Sequence, residues 1–398
     1  MTKPINLKNN NILVLNDALW DEAKRVRHKM AAAWAREGNR VLWVERNSYL
    51  RKELLSKGIF AKTMLGEIRQ VEERLMVGAG PPAFPRCQAG GILGNLIRFL
   101  HRPFFLRRIK SYLRGLDFTP DLLVLFQLAP RWDLIRHLPH EVSIYYCNDL
   151  LGYGLAAENV HIEERRCCQA VDLVFTTSEV LRKRLSPFNP HTHHIPHAVD
   201  KNWWEKNRAH QPAEYSRIPS PRAAFTGVIS SIVDLSLLIQ MADSYPFLQL
   251  VMVGPVLHYQ IDQEQLNQLE SRPNVHFLGF RPIDELPGYI EGADILLLPY
   301  HTKHRNAFAS GLALKFYEYM ISGNPILATP FTDFETEHKD LLYIGENFQE
   351  WKRLIPLALN EQSLTTEIRA MRVSLANENT YDKRLDQQRE ILRSFAGR

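Results

Sequence analysis

Short apolar runs of strand length recur along this chain with helical stretches between them, and the series occurs twice. A run at 12–15 leads into a helical pattern at 23–36, a Gly38-Asn39 turn and a second run at 41–44. Runs at 122–126, 143–146 and 173–176 follow, each separated by helical stretches. Between 198 and 222 the pattern breaks, because AVDKNWWEKNRAHQPAEYSRIPSPR carries charges and three prolines with no clear period. The alternation then restarts with runs at 223–226, 248–253, 275–278 and 295–298 and a short one near 325–329. Helical patterns stand at 235–242, 264–269, 283–292 and 312–322, and a polar-faced helix reads over 380–395. Runs that are apolar throughout need cover on both faces, so the pattern predicts an α/β protein with two parallel sheets. Ligands bind such sheets at the carboxyl ends of the strands.

At 398 residues the chain suits two domains rather than one. Apolar content of 45% and charged content of 23% are those of a globular protein. No apolar run approaches the ~18 residues of a membrane span, and the amino terminus lacks the apolar core of a signal peptide. The expected location is therefore the cytoplasm. Cys87, Cys147, Cys167 and Cys168 have no CxxC spacing and read as reduced thiols. Charge is uneven: residues 1–200 hold 29 Lys and Arg against 20 Asp and Glu, and the remainder 20 against 24. A basic half and a mildly acidic half suit different partners.

The stretch FASGLALKFYEYMISGNPILATP, at 308–330, sets Lys315 and Glu318 in an otherwise apolar helical pattern. Helix amino termini offer unpaired N–H groups and a partial positive charge, which suit phosphate. Ala309, Ser310, Gly311 and Ala313 are small enough for an anion to approach that backbone. Lys315 adds a point charge for a diphosphate, and Glu318 accepts two hydrogen bonds from a vicinal diol such as that of ribose. An i,i+3 salt bridge on a packed helix accounts for the same two residues.

These residues resemble a known family. GLALKFYEYMISGNPIL is similar to the donor-binding signature of GT-B glycosyltransferases, and VHFLGFRPIDELPGYIEGADILLLPY to the segment before it. AFTGVISSIVDLSLL resembles the loop opening their C-terminal domain. IYYCNDLLGYG, AVDLVFTTSEVLRKRL and HHIPHAVD resemble the last part of their N-terminal domain. The resemblance covers about 140–330, more weakly the amino terminus, and is specific only when its parts are taken together. It implies the GT-B fold, two Rossmann-like domains with parallel sheets facing a central cleft. The first, acceptor-binding domain is expected over 1–203, with helix 380–398 packing back on it, and the nucleotide-sugar domain over 204–379. The implied donor is a UDP-sugar. Phe280 and Arg281 would hold the base and Gly227, Val228 and Ile229 would line the sugar nucleotide. Tyr300, Leu314 and Lys315 would lie near the phosphates and Glu318 on the ribose. Two departures bear on mechanism. Many retaining members carry a second glutamate where this chain has Ser310, and many carry an Arg and a Lys where SSIVDLSLL has neither.

Asp149 follows the apolar run of SIYYCNDLLGYG, where it is placed either as base for an acceptor hydroxyl or as cap of the next helix. The segment resembles the one bearing the catalytic aspartate in an inverting, membrane-associated glucuronosyltransferase of xanthan assembly. Lys24, Arg25, Arg27 and His28 are candidate acceptor contacts. His191, His193, His194 and His197 lie within seven residues, but their alternation is strand-like; with no Asp-x-Asp pair, neither a metal nor another cofactor is expected. No GxGxxG follows the first strand, which excludes a dinucleotide fingerprint there.

Residues 96–116, LIRFLHRPFFLRRIKSYLRGL, hold six Arg or Lys and no acid among aromatics. They read as a basic amphipathic surface for the inner face of an anionic membrane, or as a pair of helices with one packed face. No nucleic-acid motif accompanies them. The function expected is transfer of a sugar from a nucleoside-diphosphate sugar to a glycan or lipid-linked acceptor in surface polysaccharide biosynthesis. A nucleotide-sugar epimerase of the same fold and a catalytically inert homologue are the alternatives.

Overall fold

The computed structural model describes residues 5–16, 18–21, 26–45, 66–80, 91–127, 129–150, 157–301, 314–330, 338–364 and 366–396. The chain forms two compact units, residues 1–196 with 381–398, and residues 197–380.

In the first unit, β1 (Asn11–Asn16), β2 (Arg40–Val44), β3 (Ile68–Glu72), β4 (Leu75–Gly78) and β5 (Leu122–Phe126) join β6 (Val142–Cys147), β7 (Leu173–Thr176) and β8 (Thr192–His194). Their order in the sheet is β3-β4-β2-β1-β5-β6-β7-β8 among the described residues. Register runs Leu13 to Leu42 on one side and Leu13 to Leu123 on the other, with Leu123 opposite Ser143. The central strands are buried on both faces, as NILVLN and LLVLF require. The parallel expectation fails at one edge, where β3 runs antiparallel to β4 through a two-residue turn with Arg74 at φ 64°. Its IRQVE sequence is polar because an edge strand is only half covered.

Helix α1 (Val26–Arg36) is buried from Val26 to Ala35, since the run of alanines lets it lie close to its neighbours. Trp34 Nε1 donates to Gln388 Oε1 at 3.0 Å, which fastens α1 to the carboxyl-terminal helix Tyr381–Ala396. Helix α2 (Gly91–Gly115) is one helix with Pro103 inside it, not a pair. His101, Phe105, Ile109 and Tyr112 are buried on one face. Leu96, Phe99, Leu100 and Phe104 are each more than half exposed. Helices α3 (Ala157–Ala170) and α4 (Glu179–Leu185) also belong to the unit.

The second unit opens with α5 (Lys201–Asn207) and a short 3₁₀ turn (Ala213–Ser216). It continues β9 (Arg222–Thr226), α6 (Leu235–Ser244), β10 (Gln249–Val253), α7 (Gln263–Glu270) and β11 (Val275–Gly279). Next come α8 (Leu286–Glu291), β12 (Ile295–Leu298), α9 (Leu314–Met320), β13 (Ile326–Ala328) and β14 (Tyr343–Ile344), then helices Phe348–Leu364 and Thr366–Glu378. The strand order is β11-β10-β9-β12-β13-β14, with every pair parallel. The helix expected over 283–292 begins as a 3₁₀ turn (Ile283–Glu285), and Pro287 then starts α8. The chain leaves β9 in one direction through β10 and β11 and returns on the other side as β12. The order therefore reverses between β9 and β12, where an open α/β sheet has its crevice.

Candidate functional site

The carboxyl ends of β9, β10 and β11 finish in Gly227, Gly254 and Gly279, all in the left-handed half of backbone space (φ 128°, 144° and 68°). Gly227 N donates to Val253 O at 2.7 Å and Gly254 N to Gly279 O at 2.9 Å. A Cβ on Gly254 would lie 2.0 Å from the Gly227 carbonyl oxygen, and one on Gly227 would lie 2.2 Å from Lys315 Cε. Small residues are thus needed for the strand ends to close on one another and for Lys315 to lie across them.

Lys315 enters this region from α9. Its Nζ donates to the Tyr300 hydroxyl at 3.1 Å and sits 4.4 Å from the centre of the Phe225 ring and 5.6 Å from that of Tyr300. Burial among these rings lowers its pKa from 10.5 to about 8, while the charge of Glu318 acts in the opposite direction. A salt bridge along the helix therefore does not account for the lysine by itself, because the fold lays the ammonium against two rings and a hydroxyl from neighbouring strands. Glu318 is buried. Next to it, Tyr319 receives the Thr226 N–H on its hydroxyl at 2.9 Å, which locks α9 onto the end of β9. A desolvated ammonium held by aromatic faces has spare donors, and an arriving anion would recover its lost solvation.

Around the same strand ends, Phe280 and Val228 are exposed, and Ile229 is buried with its N–H donated to Pro255 O at 3.0 Å. Leu314 is half-buried. Arg281 is clamped: Nη2 donates to Glu214 Oε1 at 2.5 Å and Nε to the Tyr289 hydroxyl at 2.9 Å. Tyr289 itself donates to Glu214 Oε2 at 2.8 Å. Phe225, Tyr289 and Glu214 escaped the sequence reading. Glu214 lies in the stretch without period at 198–222, where no pattern singles out a residue. The small residues expected to receive phosphate, 309–311 and 313, lie outside the described residues.

In the first unit Asp149 is exposed just beyond β6. Its Oδ2 accepts from Gln127 Nε2 at 2.8 Å, and Gln127 Oε1 accepts from Arg27 Nη1 at 3.1 Å. Gln127 follows β5 in the left-handed region, with φ 49°. One amide therefore joins two residues singled out separately in the sequence. The next described helix, α3, spans Ala157–Ala170, and the partner of the Asp149 side chain among the described residues is Gln127 rather than a helix N–H. His28 is buried, with its ring stacked on Trp43 at 4.8 Å and Nε2 2.9 Å from Leu19 O. Lys24 and Arg25 lie outside the described residues. The four histidines part company: His193 packs on Phe175, His191 on Phe395, and His194 lies 3.9 Å from Glu179. His197 is buried.

Residues 223–356 match the family model for glycosyl transferases group 1. The architecture is the GT-B fold, and the second unit, which holds the matched residues, is similar to group 1 glycosyl transferases. Among solved structures it is similar to HepE of Anabaena in complex with UDP, at 17% identity and TM-score 0.67 over 96% of this chain and 100% of that one. It is also similar to sucrose-phosphate synthase of Thermosynechococcus elongatus, at 15% identity and TM-score 0.70 over 98% and 100%. A sequence relative is TuaH of Bacillus subtilis, described as a teichuronic acid biosynthesis glycosyltransferase. It is 23% identical over 50% of this chain and 53% of TuaH, so the match spans about half of that relative.

Proposed function

We propose that the protein moves a sugar from a UDP-sugar to a hydroxyl of a glycan or lipid-linked acceptor in the assembly of a surface polysaccharide. The observation that carries this reading is Lys315, desolvated against Phe225 and Tyr300 at the point where the strand order reverses. The likeness to a UDP-bound structure and to a polysaccharide-building relative supports it. In this reading Lys315 faces the leaving diphosphate and Glu318 takes the ribose diol. Phe280 and the backbone beside the clamped Arg281 receive the base. The acceptor oxygen attacks the anomeric carbon, its proton passes to Asp149, and the bond to the diphosphate breaks with inversion. Lys315 supplies the cation that offsets the leaving charge, without a metal or other cofactor.

Thermal shift with UDP, ADP and GDP tests the donor site, because a ligand of the folded state alone raises its melting point. Stabilisation should be greatest with UDP. Its pH course follows from Lys315. The free protein holds a pKa of about 8, so the folded state disfavours the charged form. The resulting gain in stability is present above the ordinary 10.5 and is lost as pH falls through about 8. A bound diphosphate favours the charged form, so UDP affinity should weaken as pH rises above about 8, and Lys315→Met should abolish that slope. Affinity that stays level between neutral and alkaline pH in the parent protein would remove Lys315 from the diphosphate site. Epimerisation of a UDP-sugar without any acceptor would favour the epimerase instead.

The acceptor is proposed to be reached at an anionic membrane surface. Along α2 the exposed stripe of Leu96, Phe99, Leu100 and Phe104 continues into exposed Arg107, Lys110 and Arg114. Arg102 lies over the Phe99 ring at 5.1 Å, ready to flank the same stripe. No helix among the described residues is long and apolar enough to cross a membrane. Apolar rings beside cations suit a lipid interface with negative headgroups. The protein should co-sediment with phosphatidylglycerol vesicles and not with phosphatidylcholine vesicles. Phe99→Ala with Phe104→Ala should weaken that binding about tenfold or more, from the apolar area lost. Equal binding to both lipids, or binding indifferent to the two rings, counts against a lipid partner.

A further inference from the structure

Lys315 brings one positive charge to a group that carries at least two negative ones, and the loop after β9 holds no Lys or Arg. That loop, GVISSIVD, carries Asp234 instead, and the structure shows what the aspartate holds. Beyond β12 the chain runs through Pro299 and Tyr300 to His301. Side chains alternate along an extended segment. Tyr300 accordingly meets Lys315 of α9, whereas His301 Nδ1 lies 3.3 Å from Asp234 Oδ2, at the start of α6. Asp234 Oδ1 accepts from Leu237 N at 3.0 Å and so caps α6, which leaves Oδ2 for the imidazole.

The pair stands at the carboxyl ends of β9 and β12, the two strands between which the order reverses. Fastening this corner does not require it. Asp234 N already donates to Pro299 O at 2.7 Å, and His301 N to Ile232 O at 2.9 Å. The His301 side chain is 42% exposed, and among the described residues Asp234 alone engages its ring. A carboxylate on Nδ1 orients the ring and turns Nε2 outward.

We infer that His301, oriented by Asp234, is a second ligand for the donor's diphosphate. The ring binds as the imidazolium, in which Nδ1–H is held by Asp234 and Nε2–H is offered to a phosphate oxygen. The inference rests on the donor reading above. It adds a ligand from beyond β12 to the cation that Lys315 brings from α9.

Calorimetric titration of the full chain with UDP and with uridine, which has the base and sugar but no phosphate, tests it. His301→Gln should weaken UDP about tenfold, the worth of one charge-assisted hydrogen bond, and leave uridine unchanged. Asp234→Asn keeps a capping side chain but removes the carboxylate charge, so UDP should weaken by a smaller factor, with uridine again unchanged. His301→Arg restores a cation and should hold UDP close to the parent affinity. UDP affinity unaltered by His301→Gln overturns the inference, as does a parallel fall for uridine, which marks a general disturbance of the site. Absence of UDP binding by the parent protein overturns the donor reading itself. Should the glutamine variant not fold, the arginine and asparagine variants decide the matter through the same two titrations.

Discussion

Asp149→Asn should lower sugar transfer by two to four orders of magnitude, the usual share of a general base, while UDP affinity and melting temperature stay where they are. The substitution is isosteric. Asp149 Oδ2 accepts from Gln127 Nε2, and an asparagine oxygen can take the same bond, so the contact survives and only the basic oxygen is lost. The side chain is exposed beyond β6, and its partner among the described residues is Gln127. A loss of only a few fold would remove Asp149 as the base. A matching loss of UDP affinity would instead mean that the aspartate serves the donor.

Glu318→Gln should weaken UDP binding roughly 30- to 150-fold, because a carboxylate that takes two hydroxyl bonds is worth about 2–3 kcal/mol. The buried position of Glu318 makes the pairing stronger than at an exposed site. Part of any loss arises indirectly, since the charge of Glu318 raises the pKa of Lys315. Comparing UDP with 2′-deoxy-UDP separates the two effects. The influence on Lys315 is common to both ligands, whereas the ribose contact exists only with the hydroxyl. The parent protein should prefer UDP, and the variant should bind the two nearly alike. If the preference survives the substitution, Glu318 does not hold the ribose.

Much of this arrangement was legible because strands buried on both faces leave a strong apolar mark. The runs read at 122–126, 173–176 and 295–298 coincide with β5, β7 and β12. The helix bearing Lys315 and Glu318 stood out for a related reason, as charge inside an apolar period needs an explanation. What escaped has weaker local signals. The β3–β4 edge is half covered and therefore polar, and β14 is only two residues long. Gln127 joins Arg27 to Asp149 across strands that are neighbours in space and far apart in the chain. The Glu214–Arg281–Tyr289 clamp reaches back to a segment with no period at all.

The amino-acid order alone determined the alternation of strands and helices, the division into two series and the presence of a cation and a carboxylate on one short helix. Each of these is written in neighbours a few residues apart. Only the tertiary structure decided that Lys315 turns to Tyr300 and Phe225, and that Asp234 and His301 meet at the reversal of the second sheet. Such choices follow from which strand ends lie side by side. That is settled by the packing of whole sheets, so no window of sequence contains it.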